Sequence, residues 1–213
     1  MLLWDQAVEI LRESIFAYAQ ACNGNLGAGI LAVTFLVRVA LLPLGIRMAR
    51  AAAAQQRAMA RLQPSLDALR KTHKSDSKRL AEETSRLLAR EGVSPFSLGG
   101  CLGALAQIPV FVALYSSVRQ AAALGGRFLW IRNLAKPDWP LAIAATIFTL
   151  LATAAGGVAP SQNRSFMLSI SAVVTIAALS KMAAGVGLYW ALSSLFGAVQ
   201  GWAVQRGLHG SAA

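Results

Sequence analysis

The sequence predicts an all-α polytopic membrane protein, and its composition and charge pattern carry that prediction. Of the 213 residues, 56% are apolar, and the mean hydropathy is +0.53. A soluble domain of this size is about 45–50% apolar. Several near-uncharged runs have the length of a membrane-crossing helix, which takes roughly 20 residues. We therefore expect five transmembrane helices, one polar helical hairpin and an amphipathic helix at the N-terminus.

Residues 1–22 are predicted to form the amphipathic helix. Trp4, Val8, Leu11 and Ile15 recur at helical spacing, so they share one face, while acidic residues occupy much of the rest. Such a helix can lie on the extracytoplasmic membrane surface. The alternative is a short helix packed on the protein, and the two interpretations are compatible.

The first predicted span, residues 23–46, contains a charge. Arg38 is the only charged residue in the nineteen-residue run from Leu26 to Leu44. An arginine at mid-membrane costs roughly 2.5–3.5 kcal/mol on insertion scales, so it normally faces a water-filled cavity or a buried partner. The alternative is an arginine that extends to the headgroups from near the helix end.

Residues 47–97 form the one large polar segment, with eleven Lys or Arg and five Asp or Glu. Two narrow apolar stripes at helical spacing predict a hairpin of two packed helices. The first stripe consists of Leu62, Leu66 and Leu69, and the second of Leu80, Thr84, Leu87 and Leu88. The alternative is an unpaired, solvated pair of helices. Because the stripes are thin, we expect this segment to be mobile in either case.

The rest of the chain predicts four more spans. These are 98–118, 141–157, 166–180 and 185–204, with a polar loop at 119–140 and a short tail at 205–213. Gln107 interrupts the second span. In a membrane span, a lone glutamine more often makes an interhelical hydrogen bond than forms part of a ligand site. The loop carries the aromatic interface anchors Phe128, Trp130 and Trp139.

The distribution of positive charge predicts the topology. With the N-terminus outside, the hairpin, the turn after the third span and the C-terminal tail are cytoplasmic and hold 13 of the 20 Lys and Arg. The outer segments hold six, and Arg38 completes the count. The positive-inside rule therefore favours an outer N-terminus, a cytoplasmic C-terminus and a cytoplasmic hairpin. The net charge of +11 suggests anionic lipid, or an acidic or RNA-bearing partner.

Motifs in three regions occur in the order typical of one family. They are Thr34-Phe-Leu-Val-Arg38 with Leu42-Pro43-Leu44, Gln107-Ile-Pro109 through Tyr115 followed by Phe128-Leu-Trp130, and Gly187-Leu-Tyr189-Trp190. In this order the chain resembles the YidC-type membrane protein insertases of the Oxa superfamily, in a short form without a large extracellular domain. The resemblance covers about residues 24–202.

The resemblance implies a five-helix core around a hydrophilic groove that opens to the cytoplasm and to lipid and is closed on the outside. The family's intramembrane arginine falls on Arg38. Its substrate-contacting positions fall on Thr34 and on the pair Tyr189 and Trp190, and its polar second-helix position falls on Gln107. The implied location is the plasma (inner) membrane of a bacterium.

The function implied by the resemblance is insertion and chaperoning of nascent membrane proteins, with no cofactor, no metal and no enzymatic reaction. Short polar tails would cross through the groove, and apolar segments would leave it into lipid. Nascent membrane proteins and anionic lipids are the implied partners, with the ribosome and a Sec-type translocon as further partners. Two alternatives stay open: a small transporter or channel with Arg38 as an anion site, and an assembly scaffold that does not insert proteins.

The sequence departs from the family pattern in two single residues, and also in a fourth span without its usual proline and in third and fourth spans poor in methionine. Asn133 stands where an aspartate usually precedes Leu134, and Lys181 places an unusual charge beside the last span. Both leave the predicted class unchanged.

Overall fold

The computed structural model describes residues 2–73, 76–93, 112–113, 115–156 and 164–210. The helices are α1 (Leu2–Ala21), α2 (Leu26–Ala40), α3 (Leu42–Thr72), α4 (Ser77–Arg90), α5 (Trp139–Ala155), α6 (Arg164–Leu179) and α7 (Ala184–Gly210). A shorter helical segment spans 115–122. In these ranges the only β pairing is an isolated bridge between Phe128 and Ile131. The prediction of an all-α protein is confirmed.

The first apolar run is bent rather than straight. The chain bends by 61° between α2 and α3, and Pro43 lies in the first turn of α3. Proline has no backbone N–H and fits the first turn of a helix, where the N–H groups have no intrahelical partner. The residues predicted as one span at 23–46 therefore divide between two helices, with Arg38 in the last turn of the first.

Helix length and apolarity alone do not establish the number of spans. Among the described helices, none is by itself both long and apolar enough to cross a membrane, whereas α2 and α3 meet that criterion together as a bent pair. Helix α5 and residues 165–179 of α6 are apolar but shorter. The count of five transmembrane helices stays a prediction.

The buried core lies where α1, α2, α5, α7 and segment 115–122 meet. Its fully enclosed side chains include Ile15, Ile30, Val118 and Tyr189. Helix α6 packs along α5 and turns large apolar side chains away from the protein. These exposed side chains are Phe166, Met167, Ile170, Val173 and Val174.

Helix α1 packs its apolar face on the protein. Val8, Ile15 and Ala19 are buried, and the Ser117 hydroxyl donates to the Val8 carbonyl at 2.9 Å. Close approach to α2 depends on Gly29, because a Cβ there would overlap the Ile15 carbonyl oxygen. Packing on the protein, one of the two compatible interpretations, is therefore observed for α1. Its position at a membrane surface stays a prediction.

Two glutamines tie neighbouring helices to the C-terminal end of α5. Gln56 of α3 donates to the Gly156 carbonyl at 2.9 Å, and Gln205 of α7 donates to the Ala155 carbonyl at 2.6 Å. The last carbonyls of a helix have no intrahelical donor, so these side chains complete the end of α5. The Gln56 contact therefore fixes the middle of α3, and the second half of α3 extends beyond it into the hairpin.

Away from that contact, the hairpin of α3 and α4 has a very small core. Its buried apolar side chains among the described residues are Leu62, Leu66 and Leu88.

We expect backbone amides of α4 to exchange with deuterium much faster than those of α7, because few buried contacts in the hairpin oppose local opening. Hydrogen exchange measured by mass spectrometry in detergent or vesicles checks this. Equal protection of the two helices would contradict it.

Candidate functional site

Arg38 lies between α2 and α7. Its side chain is half-buried, and its Nε donates to the hydroxyl of Ser193 on α7 at 3.2 Å. The side chain therefore joins the two helices instead of extending freely along α2. A polar partner inside the protein is one of the two environments that the sequence analysis gave for an arginine in an apolar helix.

The partner of Arg38 is neutral. The described ion pairs involve Arg12, Arg70, Arg79 and Arg86, each bonded to an acidic residue three positions earlier in the chain. All nine Asp and Glu of the sequence lie in α1, in the hairpin or at Asp138, the residue before α5. Arg38 has no carboxylate partner among the described residues, so its positive charge is solvated by the protein but not cancelled.

Tyr189 completes this group from α7. It stands one helical turn before Ser193, so both side chains share a face of the helix. Its side chain is 1% exposed, and its hydroxyl interacts with both Arg38 and Ser193. Arg38, Tyr189 and Ser193 form one cluster, which we call the arginine cluster.

A second polar cluster lies beside it, between α5 and α7. The indole Nε1 of Trp190 donates to Thr149 Oγ1 at 3.1 Å, and the Ser194 and Thr149 hydroxyls are 3.0 Å apart. Thr149 also donates to the Ala145 carbonyl at 2.8 Å. Because one hydroxyl carries one proton, Ser194 must be the donor to Thr149. The network fixes the orientation of the Trp190 ring.

Thr34, one of the predicted site residues, does not join these clusters. Thr34 is fully buried, and its hydroxyl donates to the Ile30 carbonyl of its own helix at 2.7 Å. In this conformation no substrate can touch Thr34, so contact would require α2 to move relative to its neighbours. Gln107 lies outside the described residues.

Sequence reasoning assigned no role to Ser193, Ser194 or Thr149. A signal for the two serines was present, since each follows Tyr189 or Trp190 by one helical turn. Serine in an apolar helix is common at helix contacts, which hid their position beside Arg38 and Trp190. Thr149 lies on a different helix, and its pairing with Trp190 depends on how α5 packs against α7.

We expect Thr149→Val to destabilise the protein by about 1–3 kcal/mol, because it removes the hydroxyl that accepts from the half-buried indole N–H of Trp190. Tryptophan emission should shift as the ring reorients. Thr153→Val is the matched control, since Thr153 donates only to the backbone carbonyl of Thr149 and such a bond contributes little to a helix. Unfolding in detergent, followed by fluorescence, compares the two variants. Equal effects would contradict a specific role for Thr149.

The exposed apolar surface and the arginine cluster together indicate which class of protein the chain belongs to. Apolar side chains face outward on α2, α5 and α6, including Phe35, Ile147 and Val173, which is more than a water-soluble monomer usually presents. A half-buried arginine without a counter-ion between such helices is typical of an integral membrane protein that handles polar or charged groups.

The comparisons with known proteins agree with this class. The family model described as "60Kd inner membrane protein" matches residues 17–211. The chain is 32% identical over 202 residues to membrane protein insertase YidC 1 of Halalkalibacterium halodurans, covering 91% of this chain and 76% of that protein. It is 33% identical over 193 residues to membrane protein insertase YidC of Ralstonia nicotianae, covering 86% of this chain and 33% of that protein.

A solved structure shares the fold. The crystal structure of an active YidC insertase with its first transmembrane domain resolved aligns with a TM-score of 0.69 at 24% identity, over 92% of this chain and 45% of that one. The chain belongs to the 60Kd inner membrane protein family, whose matched members are the YidC membrane protein insertases. It is accordingly a membrane protein.

The two departures from the family pattern have simple structural consequences. Asn133 Oδ1 accepts a hydrogen bond from the Ala135 backbone N–H at 2.9 Å, a bond that an aspartate oxygen would accept equally well. Lys181 is exposed in the short connection between α6 and α7. Neither residue disturbs the arginine cluster.

Proposed function

We propose that this chain is a membrane protein insertase of a bacterial inner membrane, and that Arg38 receives the polar tail of a nascent membrane protein. Family membership and the function named for the relatives support the activity. The observation that carries the role of Arg38 is its full positive charge, held between α2 and α7 by the neutral hydroxyl of Ser193.

A neutral partner leaves Arg38 ready for an incoming carboxylate. Two unit charges about 4 Å apart attract by about 4 kcal/mol at an effective dielectric constant of 20, against about 1 kcal/mol in bulk water. An internal carboxylate would have to be displaced first, whereas the Ser193 hydroxyl can stay in place and share the guanidinium. A guanidinium presents five N–H donors, so Arg38 can bond to a carboxylate and keep its contact with Ser193.

In the proposed topology, the N-terminus is outside, five helices cross the membrane, and the hairpin and C-terminal tail are cytoplasmic. Arg38 then stands within a hydrophilic groove that shortens the path of a polar tail across the bilayer. Thr34, Gln107, Tyr189 and Trp190 are proposed to line the substrate path. Because Thr34 and Tyr189 are buried, entry of a tail requires a small separation of α2 from α7.

Apolar substrate segments have a separate surface to follow. Phe35 and Leu36 of α2 and Leu195 and Val199 of α7 are exposed. The Phe35 ring packs edge-on against Phe196, with ring centroids 5.5 Å apart. These exposed apolar side chains stand on the two helices that hold the arginine cluster, so a segment can move along them into lipid while its polar tail stays near Arg38.

Further partners follow from the charge of the hairpin. Its predicted segment has eleven Lys or Arg against five Asp or Glu, and exposed cations near a membrane attract anionic lipids. The ribosome, through its RNA, and a Sec-type translocon are proposed as additional partners on the same cytoplasmic side.

Reconstitution into vesicles tests the function. The purified full chain is expected to insert a short-tailed substrate, measured as protection of the translocated tail from added protease, well above the level of empty vesicles. A transporter or channel would instead conduct anions without protecting the tail. A scaffold would bind the substrate and leave the tail accessible, and either of these outcomes would contradict the proposal.

A further inference from the structure

The loop between segment 115–122 and α5, residues 123–138, contacts the N-terminal ends of α2, α5 and α7. We call this loop the strap. Phe128 packs on α2 at Gly27, where a Cβ would overlap the ring. Trp130 Nε1 donates at 3.2 Å to Asp138, whose carboxylate also caps the first turn of α5 through the Leu141 N–H. The strap is therefore fixed to α2 and to α5 by side chains.

The backbone of the strap attaches it to α7 as well. The Leu134 carbonyl accepts from Gly185 at 3.1 Å, and the Lys136 carbonyl accepts from Ala184 at 2.9 Å. Ala184 and Gly185 begin α7, where the N–H groups have no intrahelical acceptor. These bonds make the strap a rigid part of the same end of the helix bundle.

The tip of the strap turns two large apolar residues outward. Phe128 and Ile131 exchange two backbone hydrogen bonds, of 3.0 and 2.8 Å, and Ile131 is buried. Between them, Leu129 is 75% exposed and Trp130 55% exposed. Leu129 has φ +49°, a conformation that glycine or asparagine adopts more easily. Folding of the turn alone would favour a small or polar residue at this position.

The chemistry of the tip fits a lipid interface. The one polar atom of the Trp130 side chain is bonded to Asp138, so the ring can enter an apolar phase without an unsatisfied donor. Exposed arginines, Arg127 and Arg132, flank the turn. Apolar side chains between cations match the boundary between acyl chains and anionic headgroups.

We infer that Leu129 and Trp130 insert into the headgroup–acyl boundary of the membrane, with Arg127 and Arg132 on anionic headgroups. Their Cα atoms lie within about 8 Å of Phe128 along the chain, and Phe128 packs at the second residue of α2, so the tip stays level with the helix ends. Through the strap, this anchor fixes the depth of α2 and α7, the helices that hold Arg38. The inference depends on the membrane location of the family and not on insertase activity.

Spin-label depth measurements test the anchor. Cys22 and Cys101 are replaced by serine in the full chain, Leu129→Cys carries the nitroxide, and the protein is reconstituted in vesicles containing an anionic phosphatidylglycerol. Val173→Cys on α6 is the lipid-exposed reference and Ala89→Cys on α4 the water-exposed reference. We expect the label at 129 to collide with a water-soluble nickel chelate at least about threefold less often than the label at 89.

Equal accessibility at positions 129 and 89 would overturn the inference. Protection at 129 that grows with protein concentration at constant lipid would also overturn it, because a second copy of the chain would then cover the tip. Arg127→Gln with Arg132→Gln should make the label shallower in anionic vesicles and leave it unchanged in phosphatidylcholine vesicles. No change in anionic vesicles would contradict the headgroup contact. Depth is measured without substrate, so it is independent of the insertion assay.

Discussion

Arg38→Ala is expected to reduce insertion of a substrate with an acidic tail by at least about tenfold. An attraction of about 4 kcal/mol between unit charges at an effective dielectric constant of 20 exceeds the 1.4 kcal/mol that corresponds to a factor of ten. A matched substrate with a neutral tail should lose far less, because it makes no ion pair with Arg38. Insertion of both substrates into the same vesicles gives the comparison.

Two further variants separate charge from packing. Arg38→Lys keeps the charge and loses only the planar fork, so it should retain much of the activity. Ser193→Ala removes the neutral partner and leaves the charge, so it should insert acidic tails at a level near that of the unmodified chain. If Arg38→Ala inserts acidic tails as well as the unmodified chain, the charge model is wrong. If it fails to accumulate in the membrane, Arg38 is mainly structural.

We expect Gly29→Ala to destabilise the protein more than one methyl group added at any other position of the described core. The new Cβ would overlap the Ile15 carbonyl oxygen and lie 3.0 Å from the Ala19 backbone nitrogen. Backbone atoms cannot rotate away as a flexible side chain can, so α1 and α2 must separate. Overpacking of this kind typically costs about 1–3 kcal/mol.

Gly207→Ala is the matched control, since it adds the same methyl group within α7 with nothing inside 4 Å. Alanine has the higher helix propensity, so this variant should be neutral or slightly stabilised. Thermal unfolding of both variants in one detergent gives the comparison. An equal effect of the two substitutions would show that the α1–α2 contact contributes little to stability.

The sequence was sufficient to predict an all-helical fold. Long apolar runs and the thin leucine stripes identified α5, α6, α7 and the hairpin, because burial in lipid or in a core dictates those patterns. The bend between α2 and α3 was harder to predict, since a proline at 43 is compatible with a kinked helix or with a new one. The orientation across the membrane rests on charge counting alone and stays a prediction.

Contacts between residues far apart in the sequence could not be predicted at the site. The intramembrane charge identified Arg38, but its pairing with Ser193 joins residues 155 positions apart and depends on how α2 meets α7. Phe128 shows the same limit. Its aromatic ring predicted an interface anchor, whereas the side chain packs on Gly27 of α2, and the neighbouring Leu129 is exposed instead.

Cross-linking of a substrate tail during insertion tests the central claim most directly. Ser193→Cys, made in a chain with Cys22 and Cys101 replaced by serine, probes the arginine cluster, and Ile143→Cys on the exposed face of α5 is the matched control. A substrate stalled on the ribosome carries one cysteine beside an acidic residue in its tail. We expect a disulfide with position 193, little with position 143, and loss of the first when Arg38 is also replaced by alanine. Equal cross-linking at 193 and 143, or a yield at 193 unaffected by Arg38→Ala, would contradict the proposal that Arg38 receives the tail.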